Sequence, residues 1–411
     1  MEAVSRRSSG RGSGAELPSV MFLSPRRELR GWGEALRIEV PAPWAEHLGV
    51  VSEALVAIES TSEVGPAPGS GPIAFAALPF DRGAAATFIV PQLVRASTSD
   101  GEHWTTELVT PHTADARSVL REHHPGGALA GQNEPERDPE EVHVRSVVPP
   151  HEWCELVAAA TRRISAGELQ KVVLARELVV TADAPFDPHV IAHRLAATHP
   201  HAFRFDVDGF VGASPELLVS RFGDVVRAHP MAGTTPRSGD PDVDNRMAAE
   251  LLHSAKNRDE HSITIDMVLD TLLGFTSFVD AAPDPAVVAA GTVQHLATMV
   301  EGRLSDPPAS VLDLVAALHP TPAVGGFPRQ PALDLIAELE PSGRGRYGGP
   351  VGWVDSAGNG GWAVGLRAAS IEGVEARLFA GVGVVADSDP FSELAETQAK
   401  FASTLGVITR L

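Results

Sequence analysis

The chain has 411 residues, 43% of them hydrophobic, and a formal net charge of −20. This acidic balance argues against a nucleic-acid partner, which needs a basic surface, and no run of about 18 apolar residues is present to span a membrane. The single cysteine, Cys154, excludes an intramolecular disulfide framework and a multi-cysteine metal site, and favours a reducing, cytoplasmic setting.

The N-terminal part of the chain carries no evident chemistry. Residues 1–20 hold Arg6, Arg7 and Arg11 among serines and glycines, with no apolar stretch behind them, which predicts a disordered tail and no secretory signal. Residues 21–145 contain short apolar runs broken by glycine and proline, a pattern typical of strands and loops. Within them, the polar segment 126–141 is predicted to be a surface linker.

Helix and strand signals follow one another in the middle of the chain. Residues 151–164 have a helical pattern, and the Val- and Leu-rich run 171–180 predicts a strand. Hairpins are predicted to turn at Asp208-Gly209 and at Gly223-Asp224.

A long helix is then predicted over residues 244–273, and three strands over 353–355, 362–369 and 375–385. Hairpins with helices grouped between them indicate a large antiparallel sheet, so the predicted class is α+β.

A glycine-rich segment at residues 381–386 matches the dinucleotide-binding fingerprint and follows a predicted strand. That fingerprint requires a following helix, a second parallel strand and an acidic residue about 20 positions on. The chain holds only one more helix after this segment, so we exclude nucleotide binding.

The C-terminal helix carries the clearest chemical signal. Its start is predicted at Ser388, Asp389 and Pro390, because serine or aspartate caps free N–H groups and proline fits the first turn. Glu393, Glu396 and Lys400 then fall on one face. Two carboxylates on one face suit Mg²⁺, which shares oxygen ligands with an anionic substrate. A solvated Glu/Lys face would give the same pattern.

Nine segments of the chain, taken together and in order, resemble the chorismate-utilising enzymes, the family of anthranilate, aminodeoxychorismate, salicylate and isochorismate synthases. They lie between residues 146 and 411 and read LQKVVLAR (169–176), GASPELL (212–218), AGTTPR (232–237), KNRDEH (256–261), HPTPA (319–323), GG (348–349), GLRA (365–368), FAGVG (379–383) and ELAET (393–397). The resemblance implies a single large domain of two stacked antiparallel sheets flanked by helices. Residues 21–145 would complete the sandwich and residues 146–411 would form the chorismate-binding catalytic region.

The resemblance also implies a substrate, a metal and their ligands. The substrate is chorismate, a dicarboxylate, and Mg²⁺ bridges its ring carboxylate to acidic side chains. Glu260 and Glu396 match the metal-ligand positions, and Glu393 matches a neighbouring acid of the metal site that holds the ion's water shell. Arg367 and Lys400 match residues that face substrate carboxylates, and Gly381 is expected to offer its backbone N–H. The full substrate-binding set implied is Gly233, Thr234, His295, Ala323, Tyr347, Arg367, Gly381 and Lys400.

Two further residues decide the branch of the family. Lys171 matches the lysine that activates water in isochorismate and salicylate synthases, and burial beside Val172 and Val173 would favour the neutral amine that can act as base. Glu216 matches the general acid, with an apolar setting that would raise its pKa and keep it protonated.

The resemblance therefore predicts an isomerase, an isochorismate synthase that adds water at C2 and loses the C4 hydroxyl. Amine-transferring members of the family carry glutamine at the position of Lys171, and members of the lysine-nucleophile type carry a lysine before the Gly233-Thr234 motif, where none stands. Both amination branches are therefore disfavoured, and no glutamine amidotransferase partner is expected. Salicylate synthase, which goes on to eliminate pyruvate, stays the alternative. A family member that only binds a ligand is disfavoured, because every acid–base and metal position is filled. The pathway served stays open among menaquinone, siderophores and salicylate, and a monomer is expected as the family's common state.

Overall fold

The computed structural model describes residues 1–8, 17–109, 139 and 141–409, so most of the linker predicted at 126–141 lies outside the described residues. The strands are β1 (Glu2–Arg7), β2 (Val20–Leu23), β3 (Arg27–Trp32), β4 (Leu36–Val40), β5 (Glu59–Ser62), β6 (Ile73–Ala77), β7 (Ala86–Val90), β8 (Leu93–Thr98), β9 (His103–Val109), β10 (Val142–Ser146), β11 (Lys171–Ala182), β12 (Phe203–Val207), β13 (Phe210–Ser214), β14 (Leu217–Phe222), β15 (Val225–His229), β16 (Met231–Pro236), β17 (Thr276–Ala281), β18 (Ala286–Ala290), β19 (Val293–Ala297), β20 (Val300–Leu304), β21 (Gly326–Phe327), β22 (Pro350–Asp355), β23 (Gly360–Val364), β24 (Ala368–Glu372) and β25 (Glu375–Val384). The helices are α1 (Trp44–His47), α2 (Gly49–Val56), α3 (Pro150–Ser165), α4 (Pro188–Thr198), α5 (Pro241–His253), α6 (Ala255–Leu273), α7 (Val311–Leu318), α8 (Arg329–Leu339) and α9 (Pro390–Thr409).

The predicted α+β class is confirmed, and the sheets are large. One sheet has 13 strands, in the order β10-β11-β25-β24-β13-β12-β2-β3-β8-β9-β1-β5 with β21 beside β11, and a second has nine, β17-β20-β15-β14-β23-β22-β6-β7-β4. A third, β16-β19-β18, has three. Phe22 and Phe205 of the largest sheet share a buried cluster with Phe75 and Trp353 of the second, so these two sheets enclose a common core. None of the described helices is long and apolar enough to cross a membrane.

The prediction of a disordered tail over residues 1–20 is wrong for residues 2–7. Glu2–Arg7 form β1, which pairs antiparallel with β9 and parallel with β5. Ala3 and Ser5 are fully buried, and Ser5 Oγ lies 2.9 Å from Thr106 Oγ1. Small and polar inward residues give little hydrophobic signal, which is why the sequence pattern missed this strand.

The single helix predicted over residues 244–273 is two helices. Ser254 has an extended backbone (φ −68°, ψ 113°), and its side chain accepts a hydrogen bond from the Asn257 N–H, which starts α6. A serine that bonds its neighbouring backbone favours a cap over a helix interior. The break places residues 256–260 in the first two turns of α6.

Four strands lie near the C-terminus where three were predicted. The strand predicted over 362–369 is divided, because the chain passes from one sheet to the other at Arg367. This residue has φ 50°, in the left-handed region that non-glycine residues seldom adopt. Before it, β23 belongs to the nine-stranded sheet, and after it, β24 belongs to the 13-stranded sheet. Arg367 therefore lies in the crossing between the sheets and not inside a strand.

A buried arginine ties together segments that surround this crossing. Arg344 Nε donates to Glu340 Oε2 at 2.8 Å, Nη1 donates to Val324 O at 2.7 Å, and Nη2 donates to Val173 O at 2.6 Å. Its guanidinium also lies over the ring of Phe80, 4.4 Å from the centroid. Removing it would leave the buried carbonyls without this donor, and the Glu340 carboxylate, which also accepts from the Ala175 N–H, without its charged partner.

Arg344→Met is therefore expected to lower the free energy of unfolding by about 3–5 kcal/mol. The control is Arg303→Met, which breaks an exposed pair with Asp224 (side chains 65% and 53% exposed) and should cost less than about 1 kcal/mol. Urea unfolding of both variants measures the difference, and an equal loss in the two would refute the buried network.

Candidate active site

One cleft is bounded by the start of β11, the segment before β14, strand β16, the N-terminal turns of α6 and α9, and the crossing at Arg367. It holds about 1090 Å³ of empty space, part of it open to solvent. Its lining is Val173, Pro215, Glu216, Met231, Ala232, Gly233, Thr234, Lys256, Asn257, Glu260, His295, Ala323, Val324, Tyr347, Leu366, Arg367, Gly381, Gly383, Ser392, Glu393, Glu396 and Lys400.

Three glutamates project into this cleft from two helices. Glu260 comes from the second turn of α6, and Glu393 and Glu396 come from the first two turns of α9. The start of α9 is as predicted, since the Asp389 side chain accepts from the Ser392 N–H at 2.9 Å. This cap fixes the helix so that both α9 carboxylates face the cleft.

Each carboxylate contacts a lysine. Lys171 Nζ lies 2.9 Å from Glu260 Oε1, close enough for an ion pair although outside hydrogen-bond geometry. Lys400 Nζ lies 2.6 Å from Glu396 Oε1. Lys256 Nζ lies 3.6 Å from Glu393 Oε1 and so links α6 to α9 across the cleft.

The surroundings shift the pKa values of Glu393 and Glu260 in opposite directions. Burial raises the pKa of Glu393, and the nearby charge of Glu396 raises it further. Burial would also raise the pKa of Glu260, but the ammonium groups of Lys171, Lys400 and Lys256 outweigh burial and lower it. Mutual repulsion between close acids is the electrostatic condition that a divalent cation relieves.

The donor set of the cleft fits a hard cation such as Mg²⁺, because all three acids offer oxygens and Mg²⁺ prefers a few carboxylates together with substrate oxygens. Among the described residues, no group of three His, Cys, Asp or Glu side chains is drawn together tightly enough to hold a metal. The carboxylates are instead each turned to a lysine. The three glutamates therefore have the oxygen ligands and the location that suit Mg²⁺, but in this structure each of them is neutralised by a lysine.

Lys171 is fully buried at the first position of β11, behind the cleft lining. A Cβ at Gly383 would lie 2.5 Å from Glu260 Oε1 and 3.0 Å from Lys171 Cε, so any larger residue there would displace this ion pair from its present position. The sequence pattern predicted no role for Gly383.

Glu216 lies in the short segment between β13 and β14 and is 3% exposed. Burial raises its pKa to about 8, against the lowering effects of a hydrogen bond from the Met231 backbone and of the Lys171 charge. The carboxyl is therefore protonated at neutral pH and can donate a proton into the cleft.

Arg367 is buried, and among the described residues its Nε and Nη2 atoms have no hydrogen-bond partner. Burial lowers its pKa, yet an arginine stays charged in a protein. Two unpaired donors on one planar group suit a carboxylate, which accepts both at once. A buried cation without a partner would be costly, so the arrangement indicates an anionic ligand.

His295 faces the cleft from β19. Its Nδ1 lies 3.3 Å from Gly233 O and 3.2 Å from Thr234 Oγ1, and because a carbonyl only accepts, this contact assigns the proton to Nδ1. Burial lowers the pKa of His295 well below its usual value, with the charges of Arg367 and Lys400 adding to the effect. The neutral ring therefore leaves Nε2 as a hydrogen-bond acceptor.

Comparison with known proteins assigns the sequence to a family. The sequence model of the family described as chorismate binding enzyme matches residues 24–409. The chain belongs to the chorismate-binding enzyme family. Isochorismate synthase DhbC of Bacillus subtilis (strain 168) is 38% identical over 347 residues, covering 82% of this chain and 80% of that protein. Isochorismate synthase MenF of the same strain is 35% identical over 358 residues, covering 82% of this chain and 75% of that protein.

A solved structure supports the same architecture. The menaquinone-specific isochorismate synthase MenF from Escherichia coli matches with a TM-score of 0.82 at 22% identity, over 99% of this chain and 94% of that chain. At this identity the match shows a chorismate-binding enzyme fold and nothing about the ligand.

Twelve of the thirteen site residues predicted for this chorismate-binding enzyme line the one cleft, and the thirteenth, Lys171, lies directly behind it. One predicted contact is wrong in this structure: the Gly381 N–H is not free, because it donates to Tyr347 Oη at 2.7 Å. Strand β25 directs this amide toward the Tyr347 hydroxyl, while Lys400 Nζ donates to Gly381 O at 2.8 Å. The backbone of Gly381 therefore organises the cleft wall.

Sequence reasoning missed several members of this enzyme's cleft. Lys256, Asn257 and Ser392 belong to segments that were quoted or that flank quoted ones, yet none was assigned a role. A signal for Lys256 was present, since Lys171, Lys256 and Lys400 are the only lysines in the chain.

Proposed function

We propose that this chain converts chorismate reversibly into isochorismate, the reaction named for its relatives DhbC and MenF. The observation that carries the proposal is the pairing of a fully buried lysine, Lys171, with a protonated acid, Glu216, at one cleft. Water addition at one ring carbon and loss of water at another need one base and one acid.

Glu260, Glu393 and Glu396 are the residues proposed to hold Mg²⁺. When bound, the ion supplies Lewis acidity to the ring carboxylate of the substrate. The proposal for Arg367 is a bidentate bond to a substrate carboxylate through its unpaired Nε and Nη2 atoms. His295 Nε2 and the Lys400 ammonium lie in the same wall and are proposed to orient the substrate.

The proposed chemistry balances within the cleft. Lys171 acts in its neutral amine form: it accepts a proton from the water whose oxygen bonds to C2, and the ring double bonds shift as the C4–O bond breaks. Glu216 donates its proton to the departing hydroxyl, which leaves as water. One water enters and one leaves, so the reaction is an isomerisation that can run in both directions.

The test is product analysis of the purified protein with chorismate, by chromatography and NMR, with Mg²⁺ and with a chelator. We expect a stable mixture of chorismate and isochorismate that forms with Mg²⁺ and not under chelation, without ammonia or a partner protein. Accumulating salicylate and pyruvate would move the assignment to salicylate synthase. No turnover with Mg²⁺ would refute the enzyme assignment.

The wider setting remains a set of predictions. We infer a cytoplasmic monomer that works without a glutamine amidotransferase. Its product would enter menaquinone, siderophore or salicylate biosynthesis.

A further inference from the structure

The distribution of lysine in this chain is unusual. Of 33 Lys and Arg residues, 30 are arginines, and the three lysines are Lys171, Lys256 and Lys400. Each contacts one of the three cleft glutamates, at 2.9, 3.6 and 2.6 Å. All the other Lys and Arg residues of the sequence are arginines. Lysine therefore occurs only beside the carboxylates that are proposed to bind the cation.

The chemistry of the two cations explains why this matters. Arginine offers a planar fork that grips a carboxylate bidentately, whereas lysine is a compact point charge on a flexible stem. A lysine can neutralise a carboxylate and still turn away when another cation takes the oxygen. An arginine in the same place would compete more strongly and occupy more of the cleft.

The three lysines differ in their freedom to move. The side chain of Lys171 is fully buried and that of Lys400 is 10% exposed, whereas that of Lys256 is 39% exposed at the mouth of the cleft. Lys256 also has the longest ion pair of the three and contacts Glu393 on the opposite helix. It is the lysine that can leave its carboxylate for solvent.

We propose that Lys256 is a displaceable counter-ion of Glu393, which competes with the divalent cation and so sets the metal affinity of the substrate-free protein. The inference rests on the proposed metal site. It assigns a role to a residue outside the predicted site set, and it makes the Lys256–Glu393 pair a contact that opens when the cation binds.

The charges of the cleft point to the same competition. The three glutamates and the three protonated lysines in contact carry equal and opposite charges, and Arg367 adds one more positive charge, so a divalent cation that arrives alone adds to a positive excess. A dianionic substrate offsets most of this excess, and by linkage each ligand must then favour the other. We therefore expect the cation to bind weakly without substrate, and we expect removal of one lysine to increase its affinity.

The test measures metal binding without turnover. Mn²⁺ is titrated into the substrate-free protein, and the free ion is followed by electron paramagnetic resonance. Lys256→Met is expected to bind Mn²⁺ about two- to fivefold more tightly than the unaltered protein, the scale of a partly exposed ion pair. Lys256→Arg, which keeps the competing charge, should bind no more tightly than the unaltered protein.

Two controls separate the site from general charge effects. Arg377→Met removes a cation of similar exposure (45%) from a buried acid, Glu177, outside the cleft, and should leave Mn²⁺ affinity unchanged. The double variant Lys256→Met with Glu393→Gln should lose the gain, because the freed carboxylate is then absent.

The outcomes are distinct. Mn²⁺ binding that is equal or weaker in Lys256→Met overturns the counter-ion role while leaving the metal site intact. No binding to any of the variants refutes the glutamate triad as a metal site, and with it both this inference and the proposed role of Mg²⁺. Tighter binding in Arg377→Met as well would reduce the effect to net charge and also overturn the inference.

Discussion

Lys171→Met is expected to lower kcat by about 10²- to 10⁴-fold, the usual contribution of a positioned general base. Lys171 is fully buried, and its Nζ atom lies 2.9 Å from Glu260 Oε1. The methionine side chain fills similar space but cannot take the proton from water. Steady-state kinetics with chorismate at saturating Mg²⁺ measure the loss, and circular dichroism checks that the variant folds.

Lys171→Arg separates a base from a simple counter-ion. Arginine keeps a positive charge beside Glu260, but it is not deprotonated in proteins. If Lys171 acts as base, this variant should be as impaired as Lys171→Met. Recovery of activity to within about tenfold of the unaltered protein would show that charge alone matters, and the mechanism would need another base.

Glu216→Gln is expected to lower kcat by about 10²- to 10⁴-fold, because glutamine cannot give a proton to the departing hydroxyl. The acid must be protonated to act, and burial raises its pKa to about 8. In the unaltered protein kcat/KM should therefore fall as pH rises through about 8, since this parameter follows groups of the free enzyme. The residual activity of Glu216→Gln should lack that fall. An alkaline limb that persists in the variant would assign it to another group.

The same substitution should stabilise the fold at alkaline pH. The folded pKa of Glu216 lies above the unfolded value of 4.5, so its contribution to stability is fully present below about pH 4.5 and is lost as pH rises through about 8. Glutamine stays neutral and avoids this loss. At pH 9 we expect Glu216→Gln to be more stable than the unaltered protein by roughly 3–5 kcal/mol. Urea unfolding at pH 5 and pH 9 measures it, and an equal difference at both values would contradict the buried carboxyl.

Local patterns in the sequence predicted much of the fold. The strand at 171–180, the hairpins at Asp208-Gly209 and Gly223-Asp224 and the cap of the last helix each follow from signals within a few residues. Periodicity and turn chemistry act over that range, so the elements could be assigned without tertiary knowledge.

The features that could not be predicted from the sequence depend on contacts between residues far apart in the chain. β1 is stabilised by strands β5 and β9, more than 50 residues away, and its own residues are small or polar. The strand break at Arg367 comes from a change between sheets, and nothing local marks it.

The candidate site shows the same division. Glu393, Glu396 and Lys400 could be grouped on one helix face from spacing alone, whereas the roles of Lys171, Glu216 and Glu260 came from resemblance. The link between Lys256 and Glu393 joins two helices that lie over 100 residues apart in sequence, so only the folded chain shows it. The contact of the Gly381 amide with Tyr347 likewise depends on the packing of β25.

The central claim is that solvent water supplies the new hydroxyl at C2 while the old one leaves from C4. Its most direct test is turnover of chorismate in H₂¹⁸O, with the position of the label in the product read by mass spectrometry and NMR. The account predicts isochorismate with one ¹⁸O at C2 from the first turnover. Isochorismate formed without label would mean that the original hydroxyl migrates, and the roles given to Lys171 and Glu216 would fail together.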